Sequence, residues 1–263
     1  MTTAAKRIKT SAEERPLEIA VRPCPGLAEF AACIEIERAV WGSADVDIVP
    51  LPLFVVAAET GGQVLGAFAG ERMVGFTLAI AGVRNRKPFL HSHMTAVLQQ
   101  YRNQGAGRGL KLLQRQEALG RGIDLIEWTF DPLEIKNAYF NFRLGAIARR
   151  FIPNMYGTTT SPLHGGLPTD RLVAEWRLRS LRVSRALADK RSPARKPRKK
   201  ELERVKIPVD FTHIRGTNPE EAARLQAEVR LEFEHWLGRG YAATGLEVSE
   251  DKAEYLLEPW TDK

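Results

Sequence analysis

Three glycines crowd the segment Tyr101-Arg102-Asn103-Gln104-Gly105-Ala106-Gly107-Arg108-Gly109-Leu110, which separates an apolar run from a helical periodicity. Glycines at a strand-to-helix junction let a ligand approach the backbone, where the first N–H groups of the helix have no intrahelical partner. Such a junction suits a phosphate. The spacing is not that of a P-loop, because no Gly-Lys-Ser/Thr follows. It also misses the dinucleotide fingerprint, since the glycines come late and the segment sits mid-chain.

The flanking sequence sets the element order. Residues 17–22 alternate as a half-buried strand, and 27–41 carry Leu27, Phe30, Ala31, Ile34, Ala39 and Trp41 at helical spacing. Residues 49–53 read as a Pro-rich connection, and 63–68 with 72–80 form a hairpin about Ala69-Gly70-Glu71. Residues 88–98 predict a strand and 107–119 a helix that buries Leu110, Leu112, Leu113 and Leu119. A strand at 125–130, a helix at 133–144 ending at Gly145, and strands at 146–151 and 171–178 follow. Beyond a Pro- and cation-rich stretch at 192–200, residues 219–237 predict a long amphipathic helix, and 241–248 with 254–257 a two-stranded appendage. The pattern implies an α/β (α+β) fold with one central sheet.

In this context the glycine segment resembles the acyl-CoA signature of the GNAT superfamily, Arg/Gln-x-x-Gly-x-Gly/Ala, which Arg102, Gly105 and Gly107 match at each fixed position. The likeness extends over residues 17–179. It implies the GNAT fold, a mixed and mostly antiparallel sheet with helices on both faces. It also implies acetyl-CoA or another acyl-CoA as co-substrate, no metal, and acyl transfer to a small-molecule or peptide amine by direct attack. In the family the strand before the loop splays from its neighbour and offers backbone groups to the pantetheine arm; the matching positions are Ala96, Val97 and Leu98. Arg102, Asn103, Gln104, Gly105, Ala106, Gly107, Arg108 and Gly109 would then face the pyrophosphate, with Arg102 and Arg108 either adding charge or merely solvated. The whole chain also resembles a bacterial branch with C-terminal additions. That likeness suggests a lead-in at 1–16, an acyltransferase domain at 17–190, a basic linker at 191–202 and an extension at 203–263 packing on the core.

His91 and His93 are two apart on a strand, so they share a face, and imidazole titrates where an amine must lose its proton. The segment His91-Ser92-His93-Met94-Thr95-Ala96-Val97 resembles the corresponding strand of serotonin N-acetyltransferases, which carries a His-x-His pair at the same distance before the loop. The alternative is a packed pair without catalytic duty. Family members place a Tyr four residues before Gly-Phe to protonate the leaving thiolate; here that position is Asn141. Tyr139 or Tyr156 takes the part, or the thiolate leaves unaided. Asn137 and Asn141 are candidates to hold CoA amides. Glu127 is a further candidate base, and Asp131 before Pro132 reads as a helix cap. The departure at Asn141 motivates a second function, an acyl-CoA-binding module without turnover.

The net charge of +7 points to nucleic acid only if it is spread over one surface. It is not. Residues 177–206 hold thirteen Lys/Arg against three carboxylates, more than the whole excess, and lack the interleaved aromatics of a stacking surface. Cys24 and Cys33 match neither a metal ribbon nor a redox pair, and no apolar run reaches bilayer length. The expectations are a cytoplasmic protein with no membrane or nucleic-acid partner; a homodimer is left open.

Overall fold

The structure, a computed structural model, describes residues 18–42, 48–157, 165–188 and 202–261. The expected lead-in and the expected linker up to residue 201 lie outside them. The chain begins with β1 (Ile19–Pro23), α1 (Leu27–Trp41) and α2 (Leu51–Glu59). Helix α2 occupies the segment expected to open as a connection. Pro50 and Pro52 flank its start, where a missing N–H costs nothing, so prolines that look like breakers are the helix entrance. Phe54 of α2 then stacks on Phe30 at 6.2 Å and meets Phe76 at a tilt at 5.9 Å.

Strands β2 (Gln63–Ala69), β3 (Arg72–Arg84) and β4 (Lys87–Val97) form an antiparallel meander. Helix α3 (Ala106–Gly120), β5 (Leu125–Phe130), α4 (Ile135–Arg143), β6 (Ile147–Ile152) and β7 (Arg171–Arg177) follow. Asp131 caps no helix: its Oδ1 accepts from Leu133 N–H at 2.8 Å, two residues before α4 begins after Glu134. Among the described residues ten strands make one sheet in the order β1-β2-β3-β4-β5-β7-β6-β9-β10-β8, and only β4 and β5 run parallel. Helices α1 and α2 pack on one face of β2–β4, and α3 covers the other through Leu110 against Leu65 and Val74.

The C-terminal part adds α5 (Leu181–Ala188), β8 (Glu203–Ile207), α6 (Phe211–Thr217), α7 (Pro219–Leu237), β9 (Tyr241–Val248) and β10 (Ala253–Pro259). The expected appendage is three-stranded, and it continues the main sheet through one rung, Ala148 to Ala243. Helix α7 starts as its sequence dictates: Asn218 accepts from Glu221 N–H, Pro219 fills the first position, and Glu220 and Glu221 face the positive helix end. Side chains join the two parts more extensively than the backbone. Phe233 stacks on Phe151 and meets Tyr255 edge-on, and the Tyr255 hydroxyl donates to Pro132 C=O at 2.6 Å. Arg230 of α7 grips Asp170 through two hydrogen bonds of 2.8 and 2.9 Å, with Asp170 1% exposed.

Removing that guanidinium strands a buried carboxylate. Arg230→Met is expected to lower stability by about 3–5 kcal/mol, and adding Asp170→Asn should recover part of the loss. Urea unfolding of the two variants checks this, and equal stability of Arg230→Met and the parent would contradict it.

Candidate functional site

The site begins with a lost ladder. Strand β4 pairs with β5 at two positions only, Leu90 with Ile126 and His91 with Glu127. Beyond them β4 runs on to Val97 and β5 to Phe130 without further rungs, so the strands diverge and leave a gap. A register shift falls at the same place: Ala79 pairs with Ser92 and Leu78 with Met94, which leaves His93 as the extra residue of a bulge. The bulge turns the strand locally, and backbone groups along the gap face no neighbouring strand of the sheet.

Past the gap a single helical turn over Gln99–Tyr101 leads to Asn103 and Gly105, both at positive φ. The first intrahelical bond of α3 joins Gly109 N–H to Gly105 C=O, so the N–H groups of Ala106, Gly107 and Arg108 precede the ladder. The three glycines serve different ends. Gly105 adopts φ +91°, and a Cβ on Gly109 would meet Val21 Cγ2 at 2.8 Å. A Cβ on Gly107 meets only Val97 Cγ2, at 4.0 Å, so nothing within the fold requires glycine there. The space over Gly107 is open for a ligand.

A groove of about 660 Å³ runs from this loop along α4 and α5. Asn103, Arg108, Lys136, Tyr139, Arg143 and Ala186 are among its walls, and three of these are cations, as a phosphorylated ligand requires. Arg108 also donates to Leu187 C=O at 3.1 Å, which ties the loop to α5. Arg102 Nε donates to Val97 C=O and Gln104 Nε2 to Gln100 C=O, so both side chains shape the loop itself. Leu98 N–H donates to Val74 C=O; the Val97 carbonyl and Leu98 amide therefore serve the fold, while Ala96 is buried against α1 and α2. Asn141 is absent from the groove: it is 4% exposed, and its Oδ1 accepts from Trp128 Nε1 at 3.0 Å inside the core. Asn137 is exposed. Tyr139, two residues from Asn141, faces the groove instead.

On the sheet face opposite α3, His91 and His93 lie with ring centroids 6.0 Å apart. Burial holds the pKa of His91 below its ordinary value, helped by the neighbouring His93, while Glu127 pulls the other way. His93 reaches solvent, yet enough protein surrounds its ring that desolvation lowers its pKa too. Both shifts favour the neutral imidazole. Glu127 is not placed as a base. It is 3% exposed and is engaged by Arg84 at 2.7 and 2.8 Å and by Arg150 at 2.9 Å. It pairs across the ladder with Glu175, another buried carboxylate, held by Arg149 at 2.7 Å and Arg177 at 3.3 Å. Tyr156 hydrogen-bonds Thr129 at 2.9 Å on the far side of the gap.

One group escapes a plain sequence reading. Lys111 stands between Leu110 and Leu112 on α3, where a lysine suggests the wet face; instead Lys111 is 3% exposed and Leu112 reaches solvent. Its Nζ donates to Ser92 Oγ at 2.7 Å and Gln114 Oε1 at 3.0 Å, and lies 4.0 Å from the Trp128 ring centre. Burial pulls its pKa down to about 7. The stripe through Ala106, Leu110, Gln114 and Ala118 is the signal for this position, because Lys111 lies seven residues before Ala118.

Among the described residues no helix is long and apolar enough to cross a membrane, and no cluster of three His, Cys, Asp or Glu could hold a metal. No protein-family model matches the chain, and no curated protein matches it by sequence. Solved structures do match in shape. One is a crystal structure of a candidate acetyltransferase of the GNAT family from Desulfovibrio desulfuricans, at 13% identity and TM-score 0.51, covering 61% of this chain and 99% of that one. Another is YncA, a candidate acetyltransferase from Salmonella typhimurium with its cofactor acetyl-CoA, at 16% identity and TM-score 0.50, covering 68% and 99%. The chain has the GNAT fold that its sequence leads one to expect.

The buried lysine leaves a signature in stability. Unfolded, Lys111 titrates in its ordinary range near 10.5; folded, it does so near 7. Between those values the unfolded chain binds one more proton, so this group makes stability rise with pH from about 7 to 10 and stay flat below. Lys111→Met should remove that slope and raise stability at pH 7 by a few kcal/mol. Thermal melts across this pH range check it; an unchanged slope would show that the ammonium is not buried in the folded state.

Proposed function

We propose that this chain is an acyl-CoA-dependent N-acyltransferase that moves an acetyl group from acetyl-CoA to an amine by direct attack in a ternary complex. The observation that carries the reading is the alignment of the β4–β5 gap with an N-terminal helix turn left open at Gly107. A pyrophosphate on the Ala106–Arg108 amides, flanked by Arg108, Lys136 and Arg143, directs the pantetheine arm towards the gap. There its amides meet backbone groups that no neighbouring strand satisfies. His91 or His93 takes the proton of the attacking amine, directly or through water, and orientation in the complex supplies much of the rate. The acceptor is a small-molecule or peptide amine bound on the histidine side, beside the Arg-ringed Glu127 and Glu175. Residues 203–263 are read as an extension of this domain.

Asn141 favours a second reading, a module that binds acyl-CoA without turnover, because the position where the family carries its thiolate-protonating Tyr holds none. Binding of acetyl-CoA without thiol release over an amine panel would single out that module.

Acetyl-CoA is expected to raise the melting temperature by mass action, and Gly107→Val to abolish the shift while the apo melt changes little. A shift retained in Gly107→Val would refute the loop assignment.

With an acceptor in hand, kcat/KM should rise with pH through a midpoint below the ordinary imidazole value of 6.5, because both histidines are lowered. Replacing the working His by Gln should cut turnover by about 10²- to 10⁴-fold with little change in acetyl-CoA affinity. Near-parental turnover in the double His→Gln variant would eliminate the base assignment.

A further inference from the structure

Lys111 has hydrogen-bond partners but no carboxylate. Among the described residues its ammonium has no ion pair, and a leucine in its place would fill the interior without the cost of burying an amine. Its position is specific. Ser92 is the first β4 residue past the last rung with β5, and Trp128 is the first β5 residue past it. Nζ hydrogen-bonds one and lies over the ring of the other, so the amine sits at the vertex of the gap on the α3 side. The histidines occupy the opposite side of the sheet, since His91 alternates with Leu90 and Ser92.

Two further buried donors lie in the same network. Gln114 Nε2 and Asn141 Nδ2 have no hydrogen-bond partner among the described residues. Gln114 touches the amine through its Oε1, and Asn141 holds Trp128, whose ring the amine covers. Unpaired buried amide donors are costly to leave, and they suit an oxygen that arrives with a ligand.

We propose that Ser92 and Lys111 form a nucleophile–base dyad that accepts the acyl group of an acyl-CoA on the Ser92 hydroxyl, giving the protein a thioester-cleaving activity that needs no amine. The inference rests on the acyl-CoA reading given above. With the amine neutral, the Ser92 hydroxyl donates across the same 2.7 Å contact that joins the two groups. The Oγ attacks the thioester carbonyl carbon as its proton passes to Nζ, and the carbonyl oxygen collects negative charge near the Gln114 and Asn141 amides. The C–S bond then breaks, and the thiolate takes the proton from Nζ. The products are an ester on Ser92 and free CoA thiol, with Lys111 neutral again. Water then attacks the ester carbon; the C–O bond breaks, and the serine oxygen takes up the water's proton, so this hydrolytic route stands beside direct transfer to an amine. Lysine thereby protonates the leaving thiolate, which Asn141 cannot do. Burial at 3% exposure for both residues keeps water from competing until a thioester occupies the gap.

The experiment mixes the full chain with acetyl-CoA alone, without amine, and follows free thiol, the intact mass after acid quench, and the melting temperature. The expected result is an acetyl-mass adduct that peptide mapping assigns to Ser92, or steady thiol release, or both. Ser92→Ala and Lys111→Met should each lower these by at least ~10²-fold, while Ser92→Cys keeps an acylable nucleophile. Ser92→Ala should retain the acetyl-CoA thermal shift, which separates loss of chemistry from loss of binding. Thiol release at the parental rate in Ser92→Ala overturns the dyad. So does a parent that is stabilised by acetyl-CoA yet shows neither adduct nor thiol release. Absence of any acetyl-CoA stabilisation of the parent overturns the acyl-CoA reading itself, and the dyad with it.

Discussion

The early end of the β4–β5 ladder governs the rest of this molecule. Two rungs hold the parallel pair, and after His91 and Glu127 the strands part. A parallel ladder continued to Phe130 would close the sheet and leave α3 and α4 packed on a continuous surface. Divergence instead frees backbone donors and acceptors, which cost free energy when buried without partners and so call for an occupant. The bulge at His93 turns β4 at the same place, and the strand delivers the chain to the glycine loop.

Charge is arranged about the same opening in two opposed ways. On the histidine side two buried carboxylates stand across one rung, and each is held by two arginines. On the α3 side a lone amine is buried with only neutral partners and its pKa falls to about 7. One face answers buried charge with guanidinium partners, while on the other desolvation makes the amine's charge switchable. The sheet between them keeps the two environments apart.

Much of this is legible in the sequence because local chemistry decides it. The glycine loop, the hairpin about Gly70, the long C-terminal helix and the alternating strands all announce themselves through spacing and turn residues. What escapes depends on partners distant in sequence. Pro50 and Pro52 read as a connection, yet they lead into α2, because Phe54 finds Phe30 and Phe76. Helix α5 hides in a basic segment, since its burial rests largely on Val183 against the surface of Gly145. Asn141 looks like a ligand contact and is a core acceptor for Trp128. Lys111 looks solvated because leucines flank it; the stripe through Leu110, Gln114 and Ala118 hints at its inward face, and Ser92 and Trp128 on the partner strands decide it.

The single rung between Ala148 and Ala243 carries a consequence of its own. Without β9, the outer side of β6 would be an open sheet margin, a template on which another polypeptide can lay a strand. The C-terminal hairpin acts as a guard for that margin, anchored chiefly by side chains such as Phe233, Arg230 and Tyr255 rather than by a long ladder. Loosening those anchors therefore exposes β6 before the rest of the sheet yields, and colloidal behaviour would change ahead of global unfolding.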